Sequence, residues 1–368
     1  MYFYTIRCII INKISIVILK EESRMKVSIV GSTGYTGLEL VRLLNKHPKV
    51  ELEILTSRSF DGEVISDIYQ NLKGEADIKC EALDIDKLAE SSELVFTALP
   101  HGVSMEVVPQ LLAKGLKVID LSGDYRYDNL ETYESWYKAH NSPELFKDAV
   151  YGLPELNRAE IKGSSLVANP GCYPTASILA LAPLVDKGLV DLNNIIIDAK
   201  SGTSGAGRKL SLGSHFCEVN NNFKAYKVAN HRHTSEIEEK LGILAKKDIS
   251  LSFTPHLLPI NRGILATVYA NLTENIDSKS LLKHYQAYYQ DESFVRVMDE
   301  GKLPEIKHVA GSNYCDIGLT VDERTKRVIV ISTIDNLLKG AAGQAVQNLN
   351  ILAGWDETLG LDNVGLYL

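Results

Sequence analysis

A chain of 368 residues is long enough for two domains of ordinary size, each with its own core. Hydrophobic residues make up 45% and charged residues 23%, and a formal net charge of −8 without any block of Lys or Arg argues against a nucleic-acid surface. Five cysteines (Cys8, Cys80, Cys172, Cys217, Cys315) are odd in number, scattered and never spaced as CxxC, which speaks against a disulfide framework or a Cys-rich zinc site and fits a reducing cytoplasm.

Tyr2 to Leu19 is rich in isoleucine and aromatics but broken by Arg7, Asn12, Lys13 and Ser15. It is neither the long uncharged run of a spanning helix nor a signal peptide with a small-residue cleavage site. Met25 is the more natural beginning, so residues 1–24 are expected as an extension outside the fold, with a weak membrane anchor as the rival reading.

Val27–Val30 reads as a short β-branched strand. It runs into Gly31-Ser32-Thr33-Gly34-Tyr35-Thr36-Gly37, and Leu38 to Asn45 carries apolar residues at helical spacing. Strand, glycine loop and helix make a dinucleotide-binding opening: glycines allow a tight turn and close backbone approach, and the helix N-terminus receives a pyrophosphate. The spacing GxxGxxG is weaker than GxGxxG, and a ligand-free glycine turn is the alternative. The next strand, 51–56, ends in Ser57-Arg58-Ser59. An acid at this position reads the ribose of NAD, whereas an arginine suits the 2′-phosphate of NADP, so NADP(H) is the expected cofactor.

Leu94–Leu99 and Lys117–Ser122 are near-continuous apolar runs, as strands buried on both faces should be. They end at Pro100-His101-Gly102 and Gly123-Asp124-Tyr125-Arg126, and a helix over 103–113 lies between them. Alternating strands and helices predict a doubly wound parallel sheet with ligands gathered at the strands' C-terminal ends.

The residues Ala168-Asn169-Pro170-Gly171-Cys172-Tyr173-Pro174-Thr175 precede an apolar, small-residue run that reads as a helix, with Pro174 in its tolerant first turn. Cys172 would stand at a helix N-terminus, where the dipole favours thiolate over thiol and free N–H groups could hold an oxyanion. A buried structural cysteine is the alternative. Beyond it lie a strand at 194–199, the glycine-serine loop Lys200–Arg208, and the segment His231-Arg232-His233-Thr234-Ser235-Glu236 before a helix over 237–244. His231 and His233 have a spacing that would place them on one face of a strand, but no further ligands accompany them, so no metal is expected. Strands at 250–254, 264–270 and 328–333 and a helix over 280–289 complete an α+β half with a mainly antiparallel sheet. The small-residue segment beginning at Asn336 suits a helix returning to the first domain. The expected division is residues 25–171, completed by a C-terminal helix over 335–368, and residues 172–334 as a catalytic and oligomerisation domain.

A nucleotide-binding domain, a poised cysteine and a histidine cluster are the parts of acyl-group reduction. From Met25 to the C-terminus the chain resembles the N-acetyl-γ-glutamyl-phosphate reductases of arginine biosynthesis and, more distantly, aspartate-semialdehyde dehydrogenase. The resemblance rests on GSTGYTGLELVRLL, the SRS strand end, ALPHG, DLSGDYR, NPGCYPT, SGTSGAGR, HRHTSEI and NLLKGAAGQAVQN in order. It implies NADPH-dependent reduction of the acyl phosphate to N-acetylglutamate semialdehyde through a thioester on Cys172. His231 would be the acid–base partner, oriented by Glu236, with His233 as rival. It further implies Asn336 beside the cofactor and Arg126, Arg208, His101 and Tyr226 around the substrate, the arginines having domain-interface ion pairs as their alternative. A homo-oligomer, dimer or tetramer, is expected. The family commonly has proline where Ser235 stands and DLSAD-type residues at Gly123 and Tyr125. A sibling acyl-phosphate reductase and a non-enzymatic NADP-binding sensor remain open; the first would prefer another semialdehyde, and the second would lack Cys172 or the histidines.

Overall fold

The computed structural model describes residues 23–367; the expectations for residues 1–22 lie outside the described residues. Fourteen strands form two seven-stranded sheets. The first contains β1 (Met25–Val30), β2 (Val50–Thr56), β3 (Cys80–Glu81), β4 (Leu94–Thr97), β5 (Lys117–Asp120), β6 (Ala149–Tyr151) and β7 (Leu166–Ala168). Their order is β3-β2-β1-β4-β5-β7-β6 and every pairing is parallel. Successive residues of one strand serve opposite faces: Leu94 and Phe96 join one apolar cluster, Val95 the other. The strands therefore read as unbroken apolar runs, and the doubly wound parallel architecture expected from them is the one observed.

The second sheet contains β8 (Val190–Gly202), β9 (Lys224–Ala225), β10 (Leu251–Leu258), β11 (Ile264–Leu272), β12 (Val295–Val297), β13 (Cys315–Asp322) and β14 (Arg327–Ile334), in the order β12-β13-β14-β11-β8-β10-β9. Antiparallel pairings join β11 to β8 and β14, β13 to β14, and β9 to β10; β10 with β8 and β12 with β13 run parallel. The sheet is thus mixed but mainly antiparallel. Its covered face carries Ile195, Ile197, Ala199, Phe253, Val268 and Val330, packed with the helices Cys172–Asp186, His233–Ala245 and Ser278–Tyr288. Alternate residues such as Ile196 (39% exposed), Ile329 and Ile331 emerge on the other face.

The Cys172–Asp186 helix is buried from Tyr173 through Val185, as an apolar-all-round helix must be. Three local expectations change. The histidine segment is a loop, and His233 is the first residue of the His233–Ala245 helix. Strand β13 was unexpected because Asp316, Gly318 and Thr320 interrupt its apolar pattern; the Asp316 carboxylate is neutralised by Arg296 at 2.6 and 2.9 Å. The C-terminal segment is a π-helical turn at Leu338–Ala342 and a helix at Gly343–Leu352, after which residues 353–367 are not helical. Leu338, Ala342, Val346 and Leu349 pack into the core of the first sheet. Its small residues permit close approach: a Cβ on Gly340 would lie 2.8 Å from the Cβ of Cys172. No helix among the described residues is long and apolar enough to cross a membrane.

Candidate active site

The C-terminal edge of the first sheet and the loops of the second meet in a cleft of about 1610 Å³, larger than a pocket for a single small ligand. At one end lies the glycine loop. Gly31 has φ +91°, and a Cβ there would meet the Ala98 carbonyl oxygen at 2.5 Å; a Cβ on Gly37 would meet the Gly31 oxygen at 2.3 Å. A Cβ on Gly34 would meet only the Gly31 oxygen, at 3.9 Å, and no side chain caps the Tyr35–Leu44 helix that follows, so its first N–H groups are left for an anion. This cradle fits the pyrophosphate of a dinucleotide. Tyr35 and Thr36 line the cleft, whereas the Ser32 hydroxyl turns inward to the Thr56 carbonyl at 3.0 Å. The Thr33 and Ser57 hydroxyls meet at 2.8 Å, and Arg58 and Ser59 follow exposed at the end of β2, Arg58 without an acidic partner among the described residues.

Cys172 opens its helix in the middle of the cleft. The preceding residue is fixed by Glu236: the Gly171 N–H and the Tyr151 hydroxyl both donate to its Oε1 at 2.9 Å, and Arg126 Nη1 donates to Oε2 at 3.2 Å. Glu236 is fully buried, and Arg126 further donates to the Asn169 and Leu121 carbonyls at 2.7 and 2.9 Å. This carboxylate, expected to orient His231, makes no hydrogen bond to either imidazole; its partners are Gly171, Tyr151 and Arg126. Burial pushes the Cys172 thiol up to about 11, with the Tyr173 N–H and Arg126 acting the other way. At this helix N-terminus burial therefore works against the lowering that the dipole was expected to bring.

Three imidazoles stand ready. His231 and His233 lie with ring centroids 4.8 Å apart, both edge-on to Tyr173 at 5.6 and 5.9 Å. The His233 N–H donates to His231 Nδ1 at 3.1 Å, which leaves the His231 proton on Nε2. His233 Nε2 lies against Gly171, where a Cβ would approach it to 2.6 Å, and its Nδ1 is buried without a partner among the described residues. Burial, helped by Lys227 and Arg232, pushes His231 down to about 4; burial and then His231 hold His233 well below its usual range. His101 accepts from the Gly123 N–H at 2.7 Å through Nδ1, and burial followed by Arg126 pushes it down to about 3. In all three the surroundings favour the neutral imidazole.

The Tyr226 hydroxyl lies 3.1 Å from that of Tyr173, and its ring is edge-on to His231 at 5.7 Å. Asn336 accepts from the Gly263 N–H at 2.7 Å and donates to Ser204 Oγ at 2.9 Å, holding the glycine-serine loop at the cleft wall. Arg208 crosses from that loop to the other end of the cleft, where it donates to the Thr33 carbonyl at 3.1 Å and the Tyr69 hydroxyl at 2.8 Å and lies over Phe60. The structure thus groups Arg208 with the glycine loop, and Cys172, His231, His233, His101 and Tyr226 with one another. Sequence reasoning passed over Tyr137, Lys227 and Arg232, which also line the cleft. Arg232 stood in the histidine segment, but nothing local marked which of its neighbours would face the cysteine.

The semialdehyde dehydrogenase NAD binding domain matches residues 26–164, and the semialdehyde dehydrogenase dimerisation domain matches residues 172–336. Fold and site together therefore define a semialdehyde dehydrogenase with a nicotinamide-cofactor domain. The aspartate semialdehyde dehydrogenase II of Vibrio cholerae shares the fold, with a TM-score of 0.69 at 18% identity over 90% of this chain and 99% of that one. Far closer in sequence is the N-acetyl-gamma-glutamyl-phosphate reductase of Acetivibrio thermocellus, 58% identical over 93% of this chain and 99% of its own length. That of Desulforudis audaxviator is 57% identical with the same coverage. The chain belongs to the N-acetyl-gamma-glutamyl-phosphate reductase family.

Proposed function

We propose that the protein reduces N-acetyl-γ-glutamyl phosphate to N-acetylglutamate 5-semialdehyde and inorganic phosphate, a step of arginine biosynthesis. The observation that carries this reading is Cys172 at a helix N-terminus, set between a dinucleotide cradle and the imidazoles of His231 and His233. Cys172 attacks the γ-carbonyl after losing its proton to an imidazole, and phosphate departs to leave a thioester on the sulfur. His233, whose Nε2 adjoins Gly171, is assigned as the acceptor of the thiol proton. His231 is its acid–base partner and acts from Nε2–H as donor toward the reacting oxygen. N–H groups at the start of the Cys172 helix hold the developing oxyanion. Glu236 and Arg126 position the backbone that presents the sulfur.

The cofactor is assigned as NADP(H), which the glycine loop would hold, with Ser57, Arg58 and Ser59 toward the 2′-phosphate and Asn336 supporting the cleft wall; bound there, it would supply the hydride. Arg208, placed against Thr33, is assigned to the cofactor's phosphates rather than to the substrate. His101 and Tyr226 remain substrate-facing groups. Two copies are expected to pair through the open face of the second sheet, and a free nucleophilic thiol points to a reducing cytoplasm.

The test is the reverse reaction, following NADPH formation from N-acetylglutamate semialdehyde, NADP and phosphate, with aspartate semialdehyde in parallel. Turnover of the acetylated substrate, lowered at least about 1000-fold in Cys172→Ser, is the expected result. Preference for aspartate semialdehyde would sink the substrate assignment and leave the thioester chemistry standing.

A further inference from the structure

The cations of the cleft divide into two kinds. Arg126 is saturated by Glu236 and two backbone carbonyls. Arg232 and Lys227 line the same cleft, yet among the described residues neither side chain has an ion pair or a hydrogen bond. Two like charges so placed repel each other, and burial followed by Arg232 holds the Lys227 ammonium below its usual range. The acids nearby cannot relieve them. Glu236 is fully engaged, and Asp124 is taken by the Gly102 and Met105 N–H groups and the Tyr133 hydroxyl.

Donors surround the unpaired charges. The Arg232 guanidinium lies 4.8 Å over the Tyr137 ring, and its N–H groups, without hydrogen bonds among the described residues, remain for a two-oxygen acceptor. The Tyr137 hydroxyl is buried beside that of Tyr127, and no acceptor among the described residues takes its own proton. His101 stands edge-on to Tyr137 at 5.3 Å, and because its Nδ1 accepts from Gly123, its Nε2 carries a proton to donate. Uncompensated positive charge with unused donors in a half-buried cleft is what an oxyanion completes.

We propose that Arg232 and Lys227, with Tyr137 and His101, form the subsite that grips an anionic oxygen group of the acyl substrate and so sets its specificity. This rests on the reading of the reaction given above, whose substrate carries two such groups, the transferred phosphate and the α-carboxylate. Arg232 is a binding residue here, not one that handles the reacting proton.

The reverse reaction separates the two sources, because phosphate and aldehyde are titrated independently. In Arg232→Gln the KM for one of them rises on the order of 10–100-fold, with the KM for NADP unchanged and partial rescue in Arg232→Lys. A rise for phosphate alone assigns the phosphoryl group; a rise for the aldehyde alone assigns the carboxylate. Both values within twofold of wild type, or a fall in kcat alone, overturns the proposal. Should Arg232→Gln fail to fold, Tyr137→Phe and Lys227→Met ask the same question. A second readout does not depend on turnover: protection of Cys172 from N-ethylmaleimide by inorganic phosphate or by N-acetylglutamate. The expected result is protection in the wild type that is lost in Arg232→Gln. If the wild type turns over no acetylated semialdehyde, the reaction assignment fails while protection still decides the subsite; no protection by either anion in the wild type overturns it.

Discussion

The two sheets serve the site in opposite ways. The parallel sheet is buried on both faces and contributes only through the ends of its strands, where Gly31, Ser57, His101, Arg126 and Gly171 all lie. The mixed sheet is covered on one face, lends the cleft the helix and loops packed against that face, and leaves the other face half-exposed. A parallel sheet must finish its packing within its own chain, because its crossover helices cover both sides. A mainly antiparallel sheet can leave one side for a partner. Chemistry therefore concentrates where the edge of one meets the covered face of the other.

The strongest way to break this division is at the group that crosses it. Glu236 belongs to a helix on the second sheet, but its carboxylate holds Gly171 and Arg126, which follow strands of the first. Glu236→Ala leaves Arg126 buried without its counter-charge, and losing one partner of a buried pair costs about 3–5 kcal/mol. Urea unfolding should show that loss, and the surviving folded enzyme should have kcat reduced about 100-fold, since Gly171 no longer fixes the sulfur. Stability within 1 kcal/mol of wild type would mean that the crossing carboxylate does not hold the two halves together.

A smaller effect is expected at Gly340, where the π-helical turn touches the cysteine. An added methyl meets the Cys172 Cβ at 2.8 Å, so Gly340→Ala must displace one or the other, at a cost of about 1–3 kcal/mol. Because the contact is at the proposed nucleophile, kcat should fall about tenfold or more while NADP affinity, measured by fluorescence titration, holds. Equal losses in both would point to a general loosening of the first sheet's core rather than to placement of the sulfur.

How much of this was legible in the sequence follows the same division. The parallel strands were visible because burial on both faces writes an unbroken apolar run, and their functional residues sit at the ends of those runs. The second sheet writes alternation, which a buried Asp316 and a Gly318 erase in β13. The two-residue spacing of His231 and His233 mimics a strand, whereas the chain is turning into a helix there. Cys172 could be read from its Pro-Gly approach and the apolar run behind it. The partner of Glu236 could not, since Gly171 lies 65 residues away and only the packed helices bring them together. The depth that raises the cysteine's pKa is likewise a tertiary property.

The open face of the second sheet can be tested directly. Ile329 and Ile331 emerge there from β14, alternating with buried Val328, Val330 and Ser332. Ile329→Glu puts a charge into the expected contact of two copies, with little cost to the isolated chain because the position is already half-exposed. Light scattering should report a shift from dimer toward monomer. An unchanged mass would mean that copies join elsewhere.

The mildest change is expected at the strand end of the first sheet, because a phosphate held by several groups loses only part of its grip when one is removed. Arg58 is exposed and has no acidic partner among the described residues, so Arg58→Gln sacrifices no internal ion pair and should leave stability within about 0.5 kcal/mol. On the proposed assignment of NADP it removes one charge-assisted contact to the 2′-phosphate, while the Ser57 and Ser59 hydroxyls and Arg208 remain. At an exposed site such a contact is worth the low end of its range, about 1.5 kcal/mol, so the ratio of kcat/KM for NADP over NAD should fall about tenfold. The value for NAD itself should stay nearly constant, since that cofactor brings only a hydroxyl to the same place. If NAD and NADP lose equally, Arg58 serves the cofactor's common half, and discrimination has to reside in Arg208, which reaches the same end of the cleft from the second sheet's side.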